Sequence, residues 1–232
     1  MRDFMCGAYG FSIPDTKNVY DRFEVVNTLA DLNPRWNVRP GQLNPVITSH
    51  SPNQISRMLW GLIPHWSKTE KHKYSTINAK AETVSQLTTY REPFRRQRCL
   101  VPATFFYEPD KMHVEKSPFP WHCFQFKDQR LFAFAGIYDV WRDKNTGKEI
   151  ASYSVITTEP NAVVGAIHPR MPAILRKEDE ATWLNPEIIE PEQLLPLLKP
   201  YEPADEMASW PVGDAAKNPR NDFPELIQAI RS

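Results

Sequence analysis

The chain carries 22 prolines in 232 residues, and their placement constrains its fold more than any other feature. Proline fixes its own φ, lacks the N–H that a helix interior or central strand needs, and disfavours helix in the residue before it. Past Pro34 the prolines cut the chain into short apolar or alternating runs: Val46–Thr48, Met58–Ile63, Arg98–Tyr107, Trp121–Lys127, Arg130–Trp141 and Ile150–Thr157. Runs of this kind, enriched in β-branched and aromatic side chains, read as strands. Asp128-Gln129, between two of them, suggests a tight hairpin. Ahead of Pro34, Asp15 to Leu32 reads as a helix, with Val19, Phe23, Val26 and Leu29/Ala30 as its apolar stripe and Asp15 or Ser12 as cap. Residues 84–97, 159–167, 177–184 and 191–198 read as short helices with acidic or proline-containing first turns. Strands and helices do not alternate regularly, which argues against a doubly wound parallel sheet. The expectation is one α+β domain over residues 1–232, with a curved, mostly antiparallel sheet or partial β-barrel and short flanking helices. Beyond Lys199 the tail keeps Trp210, Phe223, Leu226 and Ile227, and is expected to pack back on the domain.

Composition narrows the function classes. With 41% hydrophobic and 24% charged residues the chain is globular rather than disordered. Lys and Arg balance Asp and Glu at 28 each, so the basic excess common in nucleic-acid binders is missing, although a local basic groove is still allowed. The best apolar run, Leu131 to Trp141, contains Asp139 and falls short of the ~18 residues a membrane span needs. Met1 to Met5 has no apolar stretch behind it of the secretory kind. Three cysteines without CxxC spacing argue against a disulfide framework. A cytoplasmic monomer without cofactor is the expectation. His122 and Cys123, adjacent on a strand, point to opposite faces and cannot form a compact metal site.

Several residues could carry chemistry. Met5-Cys6-Gly7 looks like a translation start followed by a small residue. Were Cys6 to begin the chain, its amine could condense with an aldehyde and its sulfur close a five-membered thiazolidine; the alternative is an ordinary small buried cysteine. In Ile77-Asn78-Ala79-Lys80-Ala81-Glu82-Thr83 the three polar side chains share one strand face and the alanines the other. A water-facing edge explains this equally. Trp60 and Trp66 flank a rigid turn, with Trp60 expected in the core and Trp66 exposed. An aromatic beside Lys or Arg can stack unpaired bases. Glu108 ends an apolar run, where desolvation can raise a carboxyl pKa toward neutrality, or where the strand simply meets water. His168 is fixed between prolines in Ile167-His168-Pro169-Arg170-Met171-Pro172. Cys99 and Cys123 read as structural, and Asn218-Pro219-Arg220-Asn221-Asp222 as a cap or turn.

Together with Arg35-Trp36-Asn37-Val38-Arg39-Pro40-Gly41-Gln42, Trp60-Gly61-Leu62-Ile63-Pro64-His65-Trp66, Arg98-Cys99-Leu100-Val101-Pro102-Ala103, Phe105-Phe106-Tyr107-Glu108, Phe132-Ala133-Phe134-Ala135-Gly136 and Ser154-Val155-Ile156-Thr157-Thr158-Glu159, these segments run in order along the chain. In that order they resemble the SOS response-associated peptidase family, also called abasic-site processing proteins. The resemblance implies covalent capture of abasic sites in single-stranded DNA. Cys6 would be the nucleophile, Asn78 would hydrogen-bond the adduct, and Glu108 and His168 would handle protons. Lys80, Trp66, Arg39 and Arg170 would contact DNA. It further implies possible lyase and self-processing peptidase activity, no cofactor or metal, and a cytoplasmic protein associated with the nucleoid during DNA damage. The chain departs from the family pattern at Ala8 and Lys80, each in place of a usual arginine. Pro109 replaces a usual tryptophan, implying a lost stacking surface, and Pro169 replaces an aspartate. Residues 1–4 are expected to be an extension ahead of the true start or a processed leader, because an acylated Cys6 nitrogen cannot form a Schiff base. Two alternatives use the same residues: a cysteine peptidase acting on itself or on other peptides, and a non-covalent module for single-stranded DNA.

Overall fold

The computed structural model describes residues 6–70, 75–113 and 120–230; the expected leader and Met5 lie outside them. Its strands are β1 (Tyr9–Phe11), β2 (Arg35–Val38), β3 (Leu43–Thr48), β4 (Ser51–Trp60), β5 (Asn78–Lys80), β6 (Arg98–Ala103), β7 (Phe105–Pro109), β8 (Trp121–Phe126), β9 (Phe132–Arg142), β10 (Glu149–Thr158), β11 (Met171–Pro172), β12 (Ile174–Leu175) and β13 (Met207–Val212). The helices are α1 (Lys17–Arg22), α2 (Arg91–Arg96), α3 (Ala162–Gly165), α4 (Lys177–Leu184) and α5 (Pro191–Leu194).

One sheet has the order β13-β8-β7-β1-β2, antiparallel throughout. In the other, β10, β4, β3, β6 and β9 pair in turn, and β9 pairs back on β10, closing a five-stranded barrel. Only the pairings of β10 with β4 and with β5 are parallel. The expected α+β architecture with a mostly antiparallel partial barrel is what the structure has.

The period-two alternation of the barrel strands feeds two cores. Val46, Val101, Phe134 and Val155 join Tyr9, Phe106 and Phe124 of the first sheet. Ile47, Leu100, Ala135 and Ile156 pack with Phe94 and Trp183 of the helices. The single run Arg98–Tyr107 divides between the two sheets at Thr104. There the Thr104 N–H donates to Gly10 O (2.9 Å) and Thr104 Oγ1 accepts from Ser12 N (3.0 Å), turning the chain from β6 into β7. Along β7, Phe105 and Tyr107 then share one face and Phe106 and Glu108 the other.

Other local expectations need correction. The helix over Asp15–Leu32 stops at Arg22. Val26 is exposed, and Asn27 exchanges side-chain hydrogen bonds with both backbone groups of Ile55 (2.8 and 2.9 Å), so the segment docks on β4. Residues 84–97 are helical only over α2. The stretch 159–167 is helical only over α3, capped by the Asn161 side chain, and 191–198 passes from α5 into a 3-10 turn. Met58–Ile63 ends as a strand at Trp60. A turn does form at Asp128-Gln129, but β8 and β9 enter different sheets, so no hairpin results.

The tail does return. It supplies β13, and Trp210 Nε1 donates to Ile227 O (2.7 Å). Asn218–Asp222 proves to be a latch on β2. The Asp222 carboxylate accepts from the N–H groups of Trp36 (2.6 Å) and Asn37 (3.1 Å) and from Arg35 Nε. Asn37 Nδ2 in turn donates to the carbonyls of Asn218 (3.0 Å) and Asn221 (2.9 Å). Replacing Asp222 by Ala strips the acceptor from two backbone donors. A loss of about 1–3 kcal/mol is expected, read from the urea midpoint, with faster proteolysis of the tail than of the barrel.

Candidate active site

β10 brings two loops together. Past Val155 it carries β5 on one edge, with Asn78 opposite Val155 and Lys80 opposite Thr157. On the other edge it carries β11, with Pro172 opposite Thr157. Asn78 and Lys80 therefore share a face of β5, with Ala79 buried behind them and Glu82 in the turn that follows. His168 lies in the segment leading into β11, its N–H bonded to Val164 O (2.8 Å) at the end of α3. Ile167 O accepts from Lys111 N (2.9 Å), joining this segment to the chain just past β7.

At that junction Cys6, Glu108 and His168 are all buried, at 1%, 0% and 0% exposure. The Cys6 N–H donates to Glu108 Oε1 at 2.9 Å. Glu108 Oε2 lies 3.7 Å from His168 Nε2. Asn78 Nδ2 donates to Cys6 O at 3.4 Å, and Asn78 O accepts from Tyr90 OH at 3.2 Å. His168 Nδ1 sits between the carbonyl (2.9 Å) and the N–H (3.2 Å) of Arg170, which orient the ring. The structure thus brings together the four residues singled out for chemistry.

Burial sets their protonation. Desolvation pushes the Glu108 carboxyl well above its ordinary 4.5, opposed by the Cys6 N–H bond and the Lys111 charge. Burial also pushes the Cys6 thiol well above its ordinary value, with the Glu108 charge adding to it. The site therefore holds a neutral thiol beside a carboxyl able to keep its proton.

The expected DNA contacts are distributed more widely. Lys80 is exposed and close enough to Glu82 to lower its pKa. Arg170 grips Glu82 through both carboxylate oxygens and donates to Thr157 O (2.8 Å), which holds the Glu82 carboxyl below its usual range. Arg39 donates to Asn37 Oδ1 (2.6 Å) and to Ala216 O, and its guanidinium lies 4.7 Å over the Trp121 ring. Burial lowers Arg39 to about 10, still charged at neutral pH. Trp66 is 50% exposed, and Trp60 is in the core, stacked on Tyr153. The Trp66 loop is tied at His65 to Asp139, which pairs with Ser152. That anchor is three residues from Val155 along β10, about 10 Å away from the Asn78 end.

Sequence reasoning missed Trp121. It stands directly across from Pro109 and faces a cleft of about 320 Å³ whose lining includes Gly7 and Glu108. The pairing of β7 with β8 that sets this register had no sequence signal of its own. Among the described residues no group of three or more His, Cys, Asp or Glu could hold a metal ion. No helix of the described residues is long and apolar enough to cross a membrane.

A family model described as SOS response associated peptidase (SRAP) matches residues 5–219. The chain is 37% identical over 228 residues to abasic site processing protein YoqW of Bacillus subtilis (strain 168), covering 97% of this chain and all of that one. It is 37% identical over 229 residues to abasic site processing protein YoaM of the same organism, covering 97% of this chain and 98% of that one. A crystal structure of a protein from Bacteroides thetaiotaomicron superposes with a TM-score of 0.85 at 30% identity, covering 97% of this chain and 100% of that one.

The buried carboxyl makes a signed prediction. Below pH 4.5 Glu108 is protonated whether folded or unfolded. As pH rises from there, the unfolded chain ionises it while the folded chain keeps the proton, so stability falls until the folded group itself titrates. Glu108→Gln keeps an acceptor for the Cys6 N–H and removes this titration. Thermal unfolding from pH 4 to 8 should show the variant gaining steadily on the wild type.

Proposed function

The chain belongs to the SOS response associated peptidase family, and from that premise we propose that it captures abasic sites in single-stranded DNA covalently through Cys6. The observation that carries this reading is the 2.9 Å contact between the Cys6 nitrogen and Glu108, with His168 behind the carboxyl and Asn78 on the Cys6 carbonyl.

The chemistry needs the Cys6 nitrogen as a free amine, so the residues ahead of Cys6 are absent or removed in the active form. An abasic deoxyribose is a cyclic hemiacetal. Opening it moves the C1′ hydroxyl proton to the ring oxygen, a transfer suited to Glu108 and His168 acting as acid and base. The amine adds to the aldehyde at C1′, and the carbinolamine loses water with a proton from Glu108, which takes the proton off nitrogen in return. Sγ then adds to C1′ of the Schiff base and the thiol proton passes to nitrogen. The five-membered thiazolidine contains nitrogen, C1′, sulfur and the Cβ and Cα of Cys6; the net loss is one water. From the same Schiff base, loss of a C2′ proton expels the 3′ phosphate, which is the lyase route. Lys80 and Arg170, on either side of β10, supply cations for the flanking phosphates.

The neutral thiol favours this order over a thiolate-first peptidase, because the amine begins the sequence and sulfur closes it. One observation supports a self-processing step as well. Cys6 has φ of 39°, a left-handed conformation costly for a residue with a side chain, which places strain beside the bond that must be broken to free the amine.

Mass spectrometry of protein beginning at Cys6, incubated with single-stranded DNA bearing one abasic site, tests the proposal. An adduct of the combined mass less one water, surviving denaturation, is expected. Cys6→Ala keeps an amine but no sulfur, so only a borohydride-trappable Schiff base should form. Asn78→Ala should slow adduct formation about a hundredfold. No adduct from a confirmed free Cys6 sinks the reading.

Release of the amine also inverts the stability prediction. A Cys6 ammonium facing the carboxylate makes an ion pair, so at pH 7 Glu108→Gln should destabilise the protein beginning at Cys6 while stabilising the chain in which that nitrogen is an amide. Melting curves of the two forms compare them directly.

A further inference from the structure

The cleft of about 320 Å³ beside Cys6 has Glu108 in its wall and extends beyond the reacting groups. Its lining includes Gly7, Arg39, Tyr107, Pro109, Trp121 and Pro219. Gly7 is the residue after the nucleophile, so anything in the cleft adjoins the reacting sugar. Trp121 is half-buried, tilted against Tyr107 with ring centroids 6.2 Å apart. The Arg39 guanidinium lies over the indole, oriented by Asn37 Oδ1 and the Ala216 carbonyl. The tail supplies both Ala216, just ahead of the latch, and Pro219 within it, so this wall is fixed when the tail docks.

A cleft bounded by two aromatic rings, prolines and one stacked cation accepts a flat, uncharged π-system. Nothing in its lining besides Arg39 and Glu108 carries a formal charge. The register places Pro109 directly across from Trp121. Along a DNA strand the flat group next to an abasic sugar is the neighbouring nucleobase.

We propose that Trp121 and Arg39 form a stacking platform for the base of the nucleotide adjoining the abasic site. The inference rests on the covalent reading above and deepens it: the enzyme reads an intact base beside the missing one. The platform sets how the lesion is positioned and does not touch the reacting atoms.

The test is a coupling cycle between side chain and base. Single-stranded DNA with one abasic site is compared with DNA in which the adjoining nucleotide, on either side in turn, is a tetrahydrofuran spacer. The spacer has no base and, lacking the C1′ hydroxyl, cannot open to an aldehyde. Adduct formation by the wild type, in the form beginning at Cys6, should slow at least fivefold with the spacer on one side and stay unchanged on the other. Trp121→Ala should be slow on the natural strand and lose nothing further with the spacer. Trp121→Phe, which keeps the packing against Tyr107, should regain part of the dependence and show that the alanine effect is not misfolding. Normal adduct formation with no spacer effect in the wild type, or an undiminished effect in Trp121→Ala, overturns the platform while leaving covalent capture standing. Absence of any wild-type adduct overturns the underlying reading, and the platform with it.

Discussion

Asn78 and the His168 segment reach the site through an exchange of partners along β10. Its first part is held by β9 on one edge and β4 on the other; past Val155, β11 and β5 take those places. The exchange leaves no gap in the hydrogen bonding. Gly61 N donates to Tyr153 O, Val155 N to Ile77 O, and Ala173 N to Ile156 O, each at 2.8–3.0 Å. β4 can leave because Gly61 turns the chain at φ 125°, a conformation that a side chain would strain. What returns is Asn78 on one edge and the His168 segment on the other. Asn78 is therefore held on a backbone ladder of β10, and the His168 segment is tied to the same strand through β11.

The surrounding packing buries a carboxyl against the Cys6 N–H and the His168 ring. Glu108 reaches zero exposure because β7 alternates and Phe106 shares its face with the core. Desolvation then dominates its titration. A carboxyl held by one N–H bond, with its other oxygen 3.7 Å from an imidazole, has room to gain or lose a proton without moving. Fully satisfied on both oxygens it would be a fixed anion. The same burial keeps Cys6 a thiol.

The grouping of the candidate residues was easier to read from the sequence than the connections. Cys6, Asn78, Glu108 and His168 were legible because each sits in a short segment whose neighbours restrict it, and the structure does bring them together. The strand runs were legible because prolines delimit them. Pairing was not. Arg98–Tyr107 reads as one strand because nothing local marks Thr104 as the corner; its role comes from Gly10 and Ser12, distant in sequence. The Val19–Leu29 stripe reads as a helix because periodicity is local, whereas Asn27 is claimed by Ile55 of β4. Trp121 gave no signal because its partner across the ladder, Pro109, is known only from register. Asp222 read as a turn residue for the same reason: its donors lie on β2.

The treatment of arginine explains how a chain with balanced charge can act on DNA. Arg170 is held by Glu82 and Thr157, and Arg39 by Asn37, Ala216 and the Trp121 ring. Ordering these long side chains is done on folding, so a ligand meets them already placed. The cost is field strength, since a guanidinium that shares its charge with Glu82 attracts a distant phosphate weakly. A binder that relied on electrostatics alone would be poorly served by this. For the covalent capture proposed above it is enough, because the non-covalent complex would have to last only through ring opening and condensation. Under that proposal, correct placement of the sugar at Cys6 matters more than the strength of the first encounter.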